Sequence, residues 1–127
     1  NETAMPHILV VDDSSSMREM VTYTLKSAGH SVKSAPDGAE ALKIAGDDAE
    51  DFDLVITDIN MPVMDGITLI KELRNLKRYT YRPILVLSTE SSAETKSAGK
   101  TAGATGWIVK PFDPDQLLGV VGKVLPH

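Results

Sequence analysis

Five positions that carry a charge or a hydroxyl follow closely on short apolar runs in this chain of 127 residues. Asp12 and Asp13 follow Ile8-Leu9-Val10-Val11, and Asp58 comes one residue after Leu54-Val55-Ile56. Ser88 follows Ile84-Leu85-Val86-Leu87, and Lys110-Pro111 follows Trp107-Ile108-Val109. If the runs are parallel strands of one sheet, their carboxyl ends share a rim, and three carboxylates, a hydroxyl and an ammonium converge there. Two carboxylates about 5 Å apart repel by about 3 kcal/mol at an effective dielectric near 20. Such a rim must therefore bind a proton or a cation. Hard carboxylate oxygens suit Mg²⁺ or Mn²⁺, and zinc is disfavoured because no histidine lies near the rim. A divalent cation together with Lys110 makes the site neutral and able to receive a phosphoryl group, so the reaction class suggested is phosphoryl transfer to a carboxylate. Taken singly, each residue has an ordinary reading: a helix cap for an aspartate, a loop hydroxyl for Ser88, a surface charge for Lys110. Their joint placement at four strand ends is what points to a site.

The elements that must position these residues can be read from periodicity. The runs beginning at Ile8, Leu54 and Ile84 are continuous and rich in branched residues, as strands buried on both faces should be. Ser31-Val32-Lys33-Ser34-Ala35 is mixed and polar, which suits a sheet edge, and Trp107-Ile108-Val109 is a fifth, shorter strand. Between them lie helices. Met17, Met20, Val21, Leu25 and Ala28 share a face of the first, for which Ser16 and Glu19 match a capping box and Gly29 a stop. Asp37 can cap a second helix carrying Ala41, Leu42 and Ala45. Ile67, Ile70, Leu73 and Leu76 mark a third. The fourth, Ser91 to Ala102, has only alanines as apolar residues and is interrupted by Gly99, so it should be locally unstable and easily biased. The fifth opens at Asp113-Pro114-Asp115-Gln116 and runs through Leu117, Leu118, Val121 and Leu125. Five strands alternating with five helices predict a doubly wound parallel α/β sheet in the order 2-1-3-4-5, with the apolar strands central.

Composition limits the alternatives. The length predicts one domain over 1–127, with residues 1–6 a flexible or added lead. There is no cysteine, which excludes disulfides, thiolate metal sites and cysteine nucleophiles. The net charge of -5 argues against nonspecific nucleic-acid binding. No apolar run approaches the roughly 18 residues of a membrane span, and the start lacks the features of a signal peptide. The triplet Asn1-Glu2-Thr3 is read as a chance match to a glycosylation acceptor. The chain is expected to be soluble and cytoplasmic.

Several stretches together resemble the receiver domain of two-component response regulators, with the closest likeness to its free-standing chemotaxis members. They are Val10-Val11-Asp12-Asp13-Ser14, Asp58-Ile59-Asn60-Met61-Pro62, Met64-Asp65-Gly66, Leu87-Ser88 and Val109-Lys110-Pro111-Phe112. The resemblance spans the chain and implies a flavodoxin-like fold, whose strand order is the one read above. It implies that Asp58 is the phosphoacceptor. Mg²⁺ would be held by Asp13, Asp58 and the backbone carbonyl of Asn60, with Asp12 acting through water. Lys110, Ser88 and Thr89 would contact the phosphoryl group, and the Lys110-Pro111 bond would be cis. Ser88 and Trp107 would form the switch, and Asn60 and Glu90 would tune hydrolysis of the acyl phosphate. Trp107 stands where Tyr, Phe or His is more usual, and a plain packing role stays open for it. The implied partners are a histidine kinase of the chemotaxis kind and a target, the flagellar motor switch among them, that reads helix 4, strand 5 and helix 5. A phosphatase is a further implied partner. The domain itself would be a monomer that inserts in no membrane and binds no nucleic acid.

Other readings compete or remain. Aspartyl-phosphate hydrolases place a second Asp two residues after the nucleophile, where this chain has Asn60. A nucleotide-binding module would want phosphate-cradling amides after strand one, where this chain has two aspartates. A receiver excised from a larger regulator, or a phosphate sink, would look the same as a free-standing one. Asp47, Asp48, Glu50, Asp51 and Asp53 lack the glycine and terminal glutamate of a calcium loop and read as a solvated acidic turn. Lys71, Arg74, Lys77, Arg78 and Arg82 read as a solvated face, with an anionic partner as the outside alternative. Gly119 and Gly122 either admit a partner helix or are tolerated in a weak one. His7, His30 and His127 show no metal-ligand spacing.

Overall fold

A computed structural model of the chain describes residues 5–125; the Asn1-Glu2-Thr3 triplet and His127 lie outside them. The order is β1 (His7–Val11), α1 (Ser15–Ser27), β2 (Ser31–Ala35), α2 (Gly38–Ala45), β3 (Leu54–Thr57), α3 (Gly66–Asn75), a 3-10 turn (Lys77–Tyr79), β4 (Ile84–Ser88), α4 (Ala93–Ala102), β5 (Gly106–Val109) and α5 (Pro114–Val124). All strand pairs are parallel and the sheet order is β2-β1-β3-β4-β5, as expected.

Strand alternation divides the core into two layers. Leu9, Val11, Val55, Ile84 and Val86 face one side, where Ala41, Ala45, Leu69, Ile70, Leu73 and Ala102 of α2, α3 and α4 cover them. Ile8, Val10, Leu54, Ile56, Leu85 and Leu87 face the other, against Val21, Leu25, Leu117 and Val121 of α1 and α5. Each fully buried Leu or Ile contributes about 1.5–3 kcal/mol, so both faces of the central strands are anchored. At the β2 edge Lys33 and Ser34 are exposed, which accounts for its polar sequence.

Capping fixes where the helices start. Asp37, Asp65 and Asp113 each accept from the backbone N–H three residues on, and Pro114 fills the first turn of α5. Two starts differ from expectation. Ser14, not Ser16, caps α1 through the Met17 N–H, which puts Ser16 and Glu19 inside the helix and removes the capping box. Likewise Ser92 caps α4, so that helix begins at Ala93 rather than Ser91. The buried stripe of α1 is also narrower than its periodicity suggested, since Met20 is exposed by 53% and Ala28 is exposed as well. Leu76 ends α3 as its cap residue and still packs against the same core cluster as Ile67, Ile70 and Leu73.

The charged stretches are joined in part. Arg78 and Arg82 pair with Asp51, Arg78 also reaches Asp48, and both arginines donate to backbone carbonyls of the acidic loop, Glu50 and Phe52. Glu50 in turn accepts from Lys33 and contacts the His7 ring, which stacks on Phe52 with centroids 4.4 Å apart. Arg78 and Arg82 are therefore paired with the acidic turn across the amino ends of the strands, while Lys71 and Lys77 stay exposed, as a solvated face requires.

Candidate functional site

Backbone bonds between strand ends set the level of the rim. The Asp12 N–H donates to the Ala35 carbonyl, the Asp58 N–H to Val11 and the Lys110 N–H to Ser88. These bonds place the residue after each strand on one plane, as the reading of the apolar runs required.

There the aspartates meet. One carboxylate oxygen from each of Asp12, Asp13 and Asp58 lies within 4.8 Å of the others; Asp12 and Asp58 are buried and Asp13 is exposed. Lys110 Nζ donates to Asp12 Oδ2 and to Asp58 Oδ2, both at 2.8 Å. The remaining oxygens are oriented by backbone amides, Asp12 Oδ1 by the Ser14 N–H at 2.9 Å and Asp58 Oδ1 by the Ile59 N–H at 2.6 Å. Arg18 on α1 donates to the Asp12 carbonyl at 2.6 Å and steadies the same loop. Burial by itself would pull the Lys110 ammonium down, but its hydrogen bonds to Asp12 and Asp58 and their charges outweigh this and hold it above the ordinary lysine value. Three carboxylates against one ammonium leave two negative charges, the deficit that one divalent cation would cancel. An all-oxygen donor set of this kind suits Mg²⁺ or Mn²⁺.

Two features of the β3–α3 loop let it pass so close to Asp58. The Gly66 N–H donates to the Ile59 carbonyl at 2.8 Å, and a Cβ on Gly66 would lie 2.0 Å from the Asp58 carbonyl oxygen. Only glycine leaves room for α3 to start there. Val63 holds φ at 70°, with the Met64 N–H turned back onto the Pro62 carbonyl at 2.7 Å. A β-branched residue is strained in this region, and Val63 is 84% exposed, so little packing offsets the strain. Val63→Gly is expected to raise stability by about 1 kcal/mol in urea unfolding, because strain is relieved and almost no burial is lost. A loss of stability would show that the isopropyl group makes a contact that outweighs the strain.

The other expected residues occupy the same rim at different depths. Ser88 is fully buried, and its Oγ accepts from the Glu90 N–H at 3.2 Å. Thr89 is exposed. Asn60 Nδ2 donates to Glu90 Oε2 at 3.2 Å, joining the loops after β3 and β4. Trp107 is half-buried, and its indole N–H donates to the Glu90 carbonyl at 2.8 Å. The Lys110–Pro111 peptide is cis. In α4 only Gly99 and Ala102 are buried, which agrees with the expectation of a helix held by few contacts. Gly119 and Gly122 face open space on α5.

One residue with a large part in the architecture was not singled out by sequence reasoning. Arg74 was grouped with a solvated basic face, yet it is half-buried and its guanidinium donates to the carbonyls of Gly103, Tyr79, Thr80 and Arg82. Desolvation lowers its pKa. Its place on α3, one residue after the buried Leu73, was the available signal.

An acidic rim crossed by a lysine, at the carboxyl ends of a 2-1-3-4-5 sheet, defines a class. The chain belongs to the response regulator receiver domain family, whose sequence pattern matches residues 8–122. Among its relatives, a chemotaxis protein CheY homolog of Campylobacter jejuni is 41% identical over 119 residues, covering 93% of this chain and 91% of that protein. The transcriptional regulatory protein PrrA of Mycobacterium tuberculosis is 39% identical over 120 residues, covering 94% of this chain, which spans only 50% of PrrA. The solved structure of the chemotaxis protein CheY4 of Vibrio cholerae superposes with a TM-score of 0.91 at 50% identity, covering 96% of this chain and 100% of that one.

Proposed function

We propose that this chain is a single receiver domain whose phosphorylation on Asp58 controls a protein–protein interaction. The observation that carries this reading is the Lys110 ammonium shared at 2.8 Å between the Asp12 and Asp58 carboxylates, beside Asp13. A carboxylate oxygen of Asp58 attacks the phosphorus of a phosphohistidine in a kinase. The new O–P bond forms as the P–N bond breaks, and the proton needed by the leaving imidazole comes from solvent. Lys110 stabilises charge on a phosphoryl oxygen, and Ser88 and Thr89 supply a hydroxyl and a backbone amide on the opposite side. Asp13, Asp58 and the Asn60 backbone carbonyl, with Asp12 through water, would hold Mg²⁺, which supplies charge neutralisation on the transferred group. Asn60 can orient a water but cannot act as a general base, so the domain is no enzyme in the usual sense.

Ser88 relays the modification toward α4, β5 and α5, the surface read by the target. The near-complete coverage of CheY relatives supports a chemotaxis role, with a histidine kinase upstream, the flagellar motor switch as target and a phosphatase as a further partner. The match to half of PrrA supports the second reading, a receiver module of a longer regulator.

The test is intact mass after incubation with acetyl phosphate, with and without Mg²⁺. A labile adduct of about 80 Da on the parent chain, lost without metal and absent from Asp58→Asn, is the expected result. An adduct that persists in Asp58→Asn would remove Asp58 from its role.

A further inference from the structure

Glu90 is where three contacts cross. Its N–H donates to Ser88 Oγ, its carboxylate accepts from Asn60 Nδ2, and its carbonyl accepts from the Trp107 indole N–H. The first two contacts tie Glu90 to the loops carrying Ser88 and Asp58, so the Asn60–Glu90 bridge lies across the rim beside the phosphoacceptor. The third leads away from the site, to a ring seated against α4. A Cβ on Gly99 would come within 2.6 Å of Trp107 Cζ3 and 3.4 Å of Cε3. Gly99 therefore opens the slot that the indole fills, and Trp107 is held both by its N–H bond and by the shape of that slot. To swing, the ring would have to surrender the hydrogen bond and leave the gap that Gly99 cuts for it in α4.

We propose that Trp107 is a positioning residue for dephosphorylation: fixed by Gly99, it anchors the Glu90 carbonyl and so keeps the Asn60–Glu90 bridge closed over the acyl phosphate. The proposal rests on the reading of Asp58 as phosphoacceptor and assigns Trp107 a stationary part in it. In the step concerned, a water oxygen attacks phosphorus, the bond between phosphorus and the Asp58 oxygen breaks, and the water proton leaves with inorganic phosphate. The closed bridge restricts the approach of that water. Loss of the anchor loosens the bridge and shortens the lifetime of the phosphoryl group.

The experiment follows decay of the acetyl-phosphate adduct by intact mass, after the donor is removed, in the parent chain, Trp107→Phe, Glu90→Ala and the double variant. Phenylalanine keeps an aromatic ring on β5 but removes the indole N–H donor together with the fused bicyclic shape; Gly99→Ala separates the two. The expected result is a lifetime shortened about threefold or more by Trp107→Phe, with no further shortening when Glu90 is already alanine. A merely structural tryptophan would act equally in both backgrounds, and that outcome, or an unchanged lifetime in Trp107→Phe, overturns the proposal. Gly99→Ala, which displaces the ring but keeps the donor, should reproduce the effect of Trp107→Phe. Hydrogen exchange of the single indole N–H gives a second readout in the parent chain. It should be protected about tenfold or more relative to a free indole, and exchange at the free rate overturns the proposal. If the parent chain takes no adduct, the phosphoacceptor reading fails instead, and the indole measurement decides whether Trp107 is held.

Discussion

Replacing Lys110 by methionine should cost about 3 kcal/mol of unfolding free energy in metal-free buffer and return most of it on adding Mg²⁺. The side chains of Lys110, Asp12 and Asp58 are only 10%, 4% and 10% exposed, so water cannot screen the two carboxylates once the ammonium is gone. Methionine fills the aliphatic path of the lysine, so the loss reports charge more than volume. A divalent cation would replace the missing positive charge, which is why the deficit should shrink with metal and not with an equal ionic strength of NaCl. The pH dependence has a definite sign. The Lys110 pKa lies above its ordinary value of 10.5, so the pair's contribution is complete below that value and is lost only as pH climbs through the raised native one. The difference between parent and variant should be flat from about pH 6 to 9 and fall above about 10.5. Urea unfolding with EDTA and with Mg²⁺ checks both parts. Equal stability of the two proteins in EDTA would show that the carboxylates do not depend on Lys110.

The second large effect is expected at Arg74, far from the rim. Arg74→Met should lower stability by about 3 kcal/mol, equivalent to a fall in Tm of about 10 °C. The guanidinium satisfies carbonyls in three separate segments, the 3-10 turn, the approach to β4 at Arg82 and the end of α4 at Gly103. Lysine keeps the charge but has no planar fork to reach them together, so Arg74→Lys should recover less than half of the loss. Because α4 buries so little of its own surface, loss of Arg74 should appear in hydrogen exchange first at the Gly103 end of α4 and only then elsewhere. Uniform loosening of the whole sheet would contradict a local clasp.

These two residues show what one sequence discloses and what it conceals. Lys110 was legible because a strand end is a topological place: once the apolar runs are parallel strands, the residue after each has only one rim to occupy. Arg74 is hidden because its carbonyl partners lie up to 29 residues away and, as backbone groups, leave no mark on composition. The ion pairs between Arg78, Arg82 and the loop at Asp51 were concealed for the same reason: each stretch was visible alone, but their pairing depends on which strand ends are neighbours. Three consecutive serines, Ser14 to Ser16, all qualify as caps by type, and type alone does not say that Ser14 is the one that caps α1. From type alone, Gly99 reads as a cost to its helix of about 1 kcal/mol relative to Ala. Its positive role, making room for Trp107, depends on β5 lying beneath α4 and so becomes visible only in three dimensions.

The hydrogen bond from Lys110 to Asp12 spans 98 positions of the chain. During synthesis the aspartates therefore emerge long before the cation that balances them, and β1, the second strand in from the edge, must wait for β3 before both of its sides are paired. Until residue 110 clears the ribosome, the growing chain carries three converging carboxylates with no ammonium among them. Ribosome-bound intermediates should thus lean on cellular Mg²⁺ more heavily than the finished protein does, and the arrival of the last strand delivers charge balance and the fourth strand pairing in a single docking event.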